Sequence, residues 1–168
     1  MGGPAAGGRA IHFGFPRRVL PHGFPKAIRE LMNRLNDGSS NDNAPQRNDQ
    51  KDAKLDIVAW KDFPDGRRGK LIVYGQCAVG LTDWKDKVSE LQPLAFNKKW
   101  LREHPVVEPT RLFFVPFRVG LHEWRNICID GGILFDRCRV AALAGDLNGD
   151  LREGYSKWSR DVVAKRLS

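Results

Sequence analysis

Two β-prone runs on either side of a turn constrain this chain more than any other feature. Residues 55–60 (Leu-Asp-Ile-Val-Ala-Trp) and 71–74 (Leu-Ile-Val-Tyr) are rich in branched and aromatic side chains. Between them Pro64-Asp65-Gly66 is turn chemistry, and Gly69 stands just before the second run. The pattern predicts a hairpin whose midpoint lies near residue 66, so Asp56 and Gln76 fall almost opposite each other. Strand alternation puts Ile72, Tyr74, Gln76 and Ala78 on one face, and Leu71, Val73 and Cys77 on the other. Opposed side chains on one face sit about 5 Å apart, close enough to share a ligand. A plainer alternative stands beside that one: Asp56 begins its strand near solvent, and Gly75 loosens the second strand where Gln76 lies.

The hairpin sits among helical patterns. Phe24, Ile28, Leu31 and Leu35 recur at helical spacing, which predicts a helix over 24–35. Residues 36–52 are almost free of apolar side chains and read as a polar loop inside one domain. After Gly80, Thr82 or Asp83 can cap a helix carrying Trp84, Val88 and Leu91, which Pro93 ends. A further helix over 96–102, a strand over 111–119 bent or edged at Pro116, and helices over 133–143 and 155–167 complete the expectation. The glycine-rich residues 1–10 read as a flexible N-terminal segment, and residues 145–150 as a turn.

Charge narrows the partners. Lys and Arg number 28 against 20 Asp and Glu, a net charge of +8 over 168 residues. That surplus favours a polyanion such as nucleic acid, although a basic surface also serves solubility alone. Cys77, Cys128 and Cys138 are an odd set with no CxxC pair, which excludes a disulfide framework and a zinc ribbon and points to a reduced, cytoplasmic setting. No run of about 18 apolar residues is present, so no membrane partner is expected. Trp60, Trp84 and Trp100 lie in periodic elements and read as core; the three cysteines read as packing residues.

Residues 54–60 and 71–78, the latter reading Leu-Ile-Val-Tyr-Gly-Gln-Cys-Ala, resemble the motif strands of the PD-(D/E)xK nuclease superfamily. More narrowly they are similar to the Mrr-like restriction endonucleases, in which an Asp opens one strand and Gln-x-Lys lies on the next. The resemblance covers about residues 24–92 and continues beyond them only in element order. It implies an α/β, restriction-endonuclease-like domain over 11–168, with a central mixed sheet of about four strands flanked by helices. It also implies a Mg²⁺ (or Mn²⁺)-dependent endonuclease acting on DNA, in defence against foreign DNA. A partner protein of a defence system or a second copy of the chain would be further partners.

By the same resemblance Asp56 and Gln76 would hold the metal, joined by the backbone carbonyl of Cys77. A hard carboxylate oxygen suits Mg²⁺, and the ion would activate water and polarise phosphate. The sequence departs from the pattern at Ala78, which stands where the family has its lysine. Lys87, and after it Lys85, could supply the cation from the following helix; both flank its apolar stripe. Glu30 is a candidate second carboxylate, although it lies well off the stripe of its helix. Arg137 and Arg139 are candidates for phosphate contact, but do not share a helical face. Asp49 and Asp52 read as loop acids within reach of the site, and Lys157, Arg160, Lys165 and Arg166 as a basic tail. Ala78 leaves open an alternative: a catalytically impaired nuclease fold that binds DNA or a partner protein.

Overall fold

The computed structural model describes residues 8–44 and 51–144, together with Glu153. The expected helix over 155–167, the turn at 145–150, the basic tail and Asp49 lie outside the described residues. The described chain runs β1 (Arg9–His12), α1 (Phe24–Leu35), β2 (Ser39–Ser40), β3 (Ile57–Lys61), β4 (Leu71–Cys77), α2 (Trp84–Lys87), α3 (Pro93–Trp100), β5 (Leu101–Glu103), β6 (Thr110–Phe114), α4 (Leu121–Gly131), β7 (Ile133–Phe135) and α5 (Arg137–Ala144). Five strands form a mixed sheet in the order β1-β3-β4-β6-β7, and β2 pairs separately with β5. The architecture is therefore α/β. Among the described residues no helix is long and apolar enough to cross a membrane.

The hairpin forms as its sequence dictates. β3 and β4 pair antiparallel with Ile57 opposite Gly75, which sets Asp56 opposite Gln76 by register. Ile72, Tyr74 and Gln76 point inward while Leu71 and Cys77 point outward. Gly75 does not fray the strand, because β4 is paired with β3 through Gly75 and with β6 through Cys77. A Cβ at Gly75 would lie 3.1 Å from the Phe114 ring and 3.3 Å from Ile57 Cβ, so glycine is what lets the neighbouring strands' side chains close over it.

α1 matches its expected span. Phe24, Ala27, Ile28, Leu31, Met32 and Leu35 are buried, Pro25 sits in the first turn, and Asn36 ends the helix in the left-handed region at φ 49°. Each buried large side chain contributes about 1.5–3 kcal/mol relative to exposure. The sheet's inner face carries two packed groups. Ile11, Val58, Trp60, Ile72 and Tyr74 meet α1 and α3, while Phe113 and Leu134 meet Trp84, Val88 and Ile127. Trp60, Trp84 and Trp100 are all core, as expected. The opposite face presents Leu71, Val73, Ala59 and Ala10 round an open apolar hollow, and Leu71 is 57% exposed.

Several expectations are corrected. Arg9 and Ala10, read as part of a flexible segment, begin β1, which pairs antiparallel with β3. The polar loop contributes β2 and the fully buried Asp37. Its carboxylate accepts the backbone N–H groups of Gly69, Lys70 and Val106, so a polar stretch here is a staple for three segments. The helix expected to run to Leu91 stops at Lys87. The Leu91 N–H goes to the Gln76 side chain, and Val88 and Glu90 make only three-residue turns back to Lys85 and Lys87. Pro93 opens α3 instead of closing α2, a position where its missing N–H costs nothing.

The helix over 96–102 gives way to a strand at Leu101, and β6 ends at Phe114, before Pro116. α4 was not anticipated; only Ile127 and Gly131 of it are buried, which leaves almost no apolar stripe to read. Ile133–Phe135 is a strand parallel to β6, not the start of a helix. Gly132 at φ 81° separates it from α4, and Asp136 starts α5 by accepting the Arg139 N–H at 2.8 Å. Cys77 and Cys138 are exposed and so are not core packing, whereas Cys128 is half-buried and packs against the second core group.

Candidate active site

Asp56 stands just before β3, and its main chain is pinned from both neighbours. Its N–H donates to Gly75 O at 2.9 Å, while its carbonyl accepts Phe13 N–H at 2.7 Å and Gly14 N–H at 2.9 Å. Its side chain is held too, Oδ2 accepting the Cys77 N–H at 2.7 Å. The carboxyl is half-buried, and burial raises it above the usual Asp range. The Cys77 N–H works against that rise, the Asp52 charge adds to it, and His12 and Lys54 oppose it.

Asp52 shapes the approach. Its Oδ1 accepts the Lys54 N–H at 3.0 Å, closing a turn in which Ala53 and Lys54 both hold positive φ, at 53° and 70°. Left-handed backbone at two successive residues other than glycine costs about 1–3 kcal/mol each. The turn sets Lys54 beside the hairpin, where its Nζ meets Glu90 Oε1 at 3.2 Å.

Gln76 is buried at 4% exposure, and both ends of its amide are used. Nε2 donates to Glu90 Oε2 at 2.9 Å and Oε1 accepts the Leu91 N–H at 3.2 Å. Asp56 and Gln76 are therefore opposite in register but turned to different partners. The result is a chain Lys54–Glu90–Gln76 beside Asp56. Lys54 and Glu90 were both missed as site residues. Lys54 lies two residues before the recognised Asp, and Glu90 in a stretch read as a helix face.

The remaining candidates lie in other company. Lys87 pairs with Asp83 on its own helix at 2.6 Å, and Lys85 pairs with Glu123 from α4. Glu30 pairs with Arg34 at 2.7 Å along α1. Arg139 donates to Leu134 O at 2.7 Å and lies 4.6 Å over the Trp124 ring, while Arg137 is exposed at the start of α5. At Cys77 it is the peptide N–H that meets Asp56. Its thiol is pushed up to about 11 by the packing round it and by the Asp56 charge, which disfavours the thiolate at neutral pH. Ala78 is buried at 1% exposure in the second core group, with Trp84 and Val88.

Asp56 Oδ1 offers a divalent ion a hard oxygen that has no hydrogen-bond donor among the described residues, whereas Gln76 Oε1 is engaged by Leu91. Among the described residues no three His, Cys, Asp or Glu side chains converge as a ready-made metal cluster. The donor set fits an ion that keeps water and takes substrate oxygens, as Mg²⁺ does with one or two carboxylates. No family model, curated protein or solved structure matches the chain.

Proposed function

We propose that this protein is a metal-dependent nuclease that hydrolyses phosphodiester bonds of DNA, with Asp56 as the metal-holding acid and Lys54 as the cation. The observation that supports this most directly is the placement of Asp56 beside the Lys54–Glu90–Gln76 chain, at the open end of the hairpin where β4 runs on beyond Gly75 paired with β6. A bound Mg²⁺ or Mn²⁺ would polarise the phosphate and lower the pKa of its water. Asp56 would hold the ion through Oδ1 while the Cys77 N–H fixes the carboxylate's orientation. Lys54 would face the charge that develops on phosphate, a task for which an ammonium needs no defined fork geometry. Glu90 would steer Lys54, and Gln76 would hold Glu90.

A net charge of +8 suits a nucleic-acid partner. Defence against foreign DNA and action as a homodimer or with a partner protein are the corresponding proposals for context, carried by the resemblance to Mrr-like enzymes. The second reading, a binding module without cleavage, is favoured by Ala78 and by the engaged Gln76 oxygen. Incubation of the protein with supercoiled plasmid and Mg²⁺ or Mn²⁺ separates the two. Nicked or linear product that disappears with Asp56→Ala supports hydrolysis. Retarded but uncut plasmid with every metal overturns it in favour of binding.

A further inference from the structure

An aromatic ring stands exposed beside the same carboxylate. Phe13 is fully buried, its ring edge-on to Phe24 at 6.0 Å, whereas Phe15, two residues on, is 47% exposed. The backbone between them fixes where that ring stands. The N–H groups of Phe13 and Gly14 donate to Asp56 O, and the N–H of Phe15 donates to Asp52 Oδ2 at 3.4 Å. A Cβ on Gly14 would lie 2.7 Å from Asp56 Oδ1, nearer than real Cβ atoms come, so only glycine lets the segment run this close to the acid. The Phe15 backbone follows one Cα–Cα step later, which keeps it within about 8 Å of that oxygen. The buried Arg17 ties the segment down further: it donates to the carbonyls of His22 and Lys51 and lies 4.8 Å over the Phe13 ring. Lys51 in turn sets its Nζ 5.9 Å from the centre of the Phe15 ring. Lys51 and Lys54 are both exposed, on either side of Asp52 in sequence.

A single exposed apolar side chain needs no explanation by itself. Here the ring is anchored by three successive backbone N–H groups next to two exposed lysines and the candidate acid, and that combination has a chemistry. Proteins that take single strands combine cations that follow the phosphates with aromatic faces on which bases stack. We infer that Phe15 is a stacking platform for one base of a DNA strand whose scissile phosphate is brought to Asp56, that Lys51 holds a flanking phosphate, and that the strand is taken unpaired. The last point follows from the platform itself. A base inside a duplex has both faces covered by its neighbours, so only an unstacked base can lie on the ring. The inference rests on the reading of DNA as the ligand at Asp56, but not on the occurrence of cleavage.

The test is fluorescence anisotropy of the full chain in EDTA, so that no metal and no cleavage intervene. Three labelled DNAs of equal length are compared: oligothymidylate, the same strand built from an abasic analogue, and a blunt duplex. Wild type should bind oligothymidylate about tenfold or more tightly than the abasic strand, the worth of one stacked base. Phe15→Ala should remove that difference and leave the abasic strand and the duplex bound as before. Phe15→Trp should keep it, because indole also offers an aromatic face. Lys51→Ala should weaken all three alike, since a phosphate contact carries no information about the base. Phe15 is exposed, so its replacement disturbs no core, and circular dichroism establishes that each variant is folded. Equal affinity of wild type for oligothymidylate and the abasic strand overturns the inference, as does an unchanged oligothymidylate affinity in Phe15→Ala. Absence of binding to all three DNAs overturns it together with the DNA reading. Stacking through Phe15 without plasmid cleavage would leave this inference standing and remove the hydrolytic one. Plasmid cleavage by a protein indifferent to the base would do the reverse.

Discussion

Asp56 Oδ2 accepts the backbone N–H of Cys77 at 2.7 Å, so the acid that opens β3 is tied to the last residue of β4. That bond favours the charged carboxylate, yet burial outweighs it and leaves the group above its ordinary range. The folded state thus holds this proton more tightly than the unfolded chain does. Stability must fall as pH rises from the unfolded-state value, about 3.9 for Asp, through the folded one. Asp56→Asn keeps an acceptor for Cys77 and carries no charge. It should raise the melting temperature at pH 7, with the gain shrinking to nothing as the pH falls below about 4. Thermal melts of both proteins across that range check the sign. A gain that is the same at pH 3 and pH 7 would show that charge burial is not its cause.

Lys54 should matter and the helix lysines should not. Lys54→Ala is expected to lower the rate of plasmid cleavage by about 10²–10³, the loss typical of one oriented donor to developing charge. Lys87→Ala and Lys85→Ala remove residues paired with Asp83 and Glu123 and should cut like wild type. Single-turnover rates at saturating protein measure this, and a slow Lys87→Ala beside a normal Lys54→Ala would reassign the cation.

Gln76→Glu should destabilise the fold near neutral pH. The substitution replaces the N–H₂ group that serves Glu90 with a carboxylate oxygen, placing like charges together in a buried position. An unsatisfied buried polar group costs about 1–3 kcal/mol, more when charged. The new acid's pKa should be raised, so the loss should grow as pH climbs above about 4.3, the ordinary Glu value. Urea unfolding at pH 4 and pH 8 tests this; a variant as stable as wild type at pH 8 would mean the two acids are not held together.

Asp37→Ala should be the most damaging single change outside the hydrophobic core. It leaves three backbone N–H groups, of Gly69, Lys70 and Val106, without their acceptor. At about 1–3 kcal/mol for a buried group, with the Lys70 N–H buried and the other two part-buried, the expected loss is about 2 kcal/mol or more. Asp37→Asn retains one oxygen and should lose less. Equilibrium denaturation of the pair gives the ordering, and a neutral Asp37→Ala would contradict the staple.

Binding to duplex DNA should weaken steeply with salt. The surplus of cations displaces counterions from the phosphates, so affinity should fall by orders of magnitude between about 50 and 200 mM salt. Fluorescence anisotropy with a labelled duplex measures the slope, and a flat response would argue against a phosphate-tracking surface.

The hairpin was legible because alternation and turn chemistry act over a few residues, and together they fixed the Asp56–Gln76 register. α1 was legible for the same reason, its apolar stripe being unbroken from Phe24 to Leu35. What sequence could not show was the use made of Gln76. Its side chain takes the Leu91 N–H, stops α2 and brings Glu90 to the site, all through contacts 14 and 15 residues apart in the chain. His12 and Gly14 were hidden by a still longer separation, since only pairing of β1 with β3 brings them to Asp56. Ile133–Phe135 misled because three apolar residues fit either period, and neighbouring β6 decides the outcome.

The open sheet face formed by Ala10, Ala59, Leu71 and Val73 has a practical consequence for every assay above. Apolar surface left open among the described residues is adhesive, and several such side chains side by side on a rigid sheet offer a flat platform to plastic, detergent micelles and other molecules of the same chain. Light scattering should show particle size rising with protein concentration. High salt, which strips the protein from DNA, would at the same time weaken the charge repulsion that keeps these platforms apart. Leu71→Lys, at an exposed position remote from Asp56 along the hairpin, should suppress that growth and leave the salt dependence of DNA binding to be read by itself.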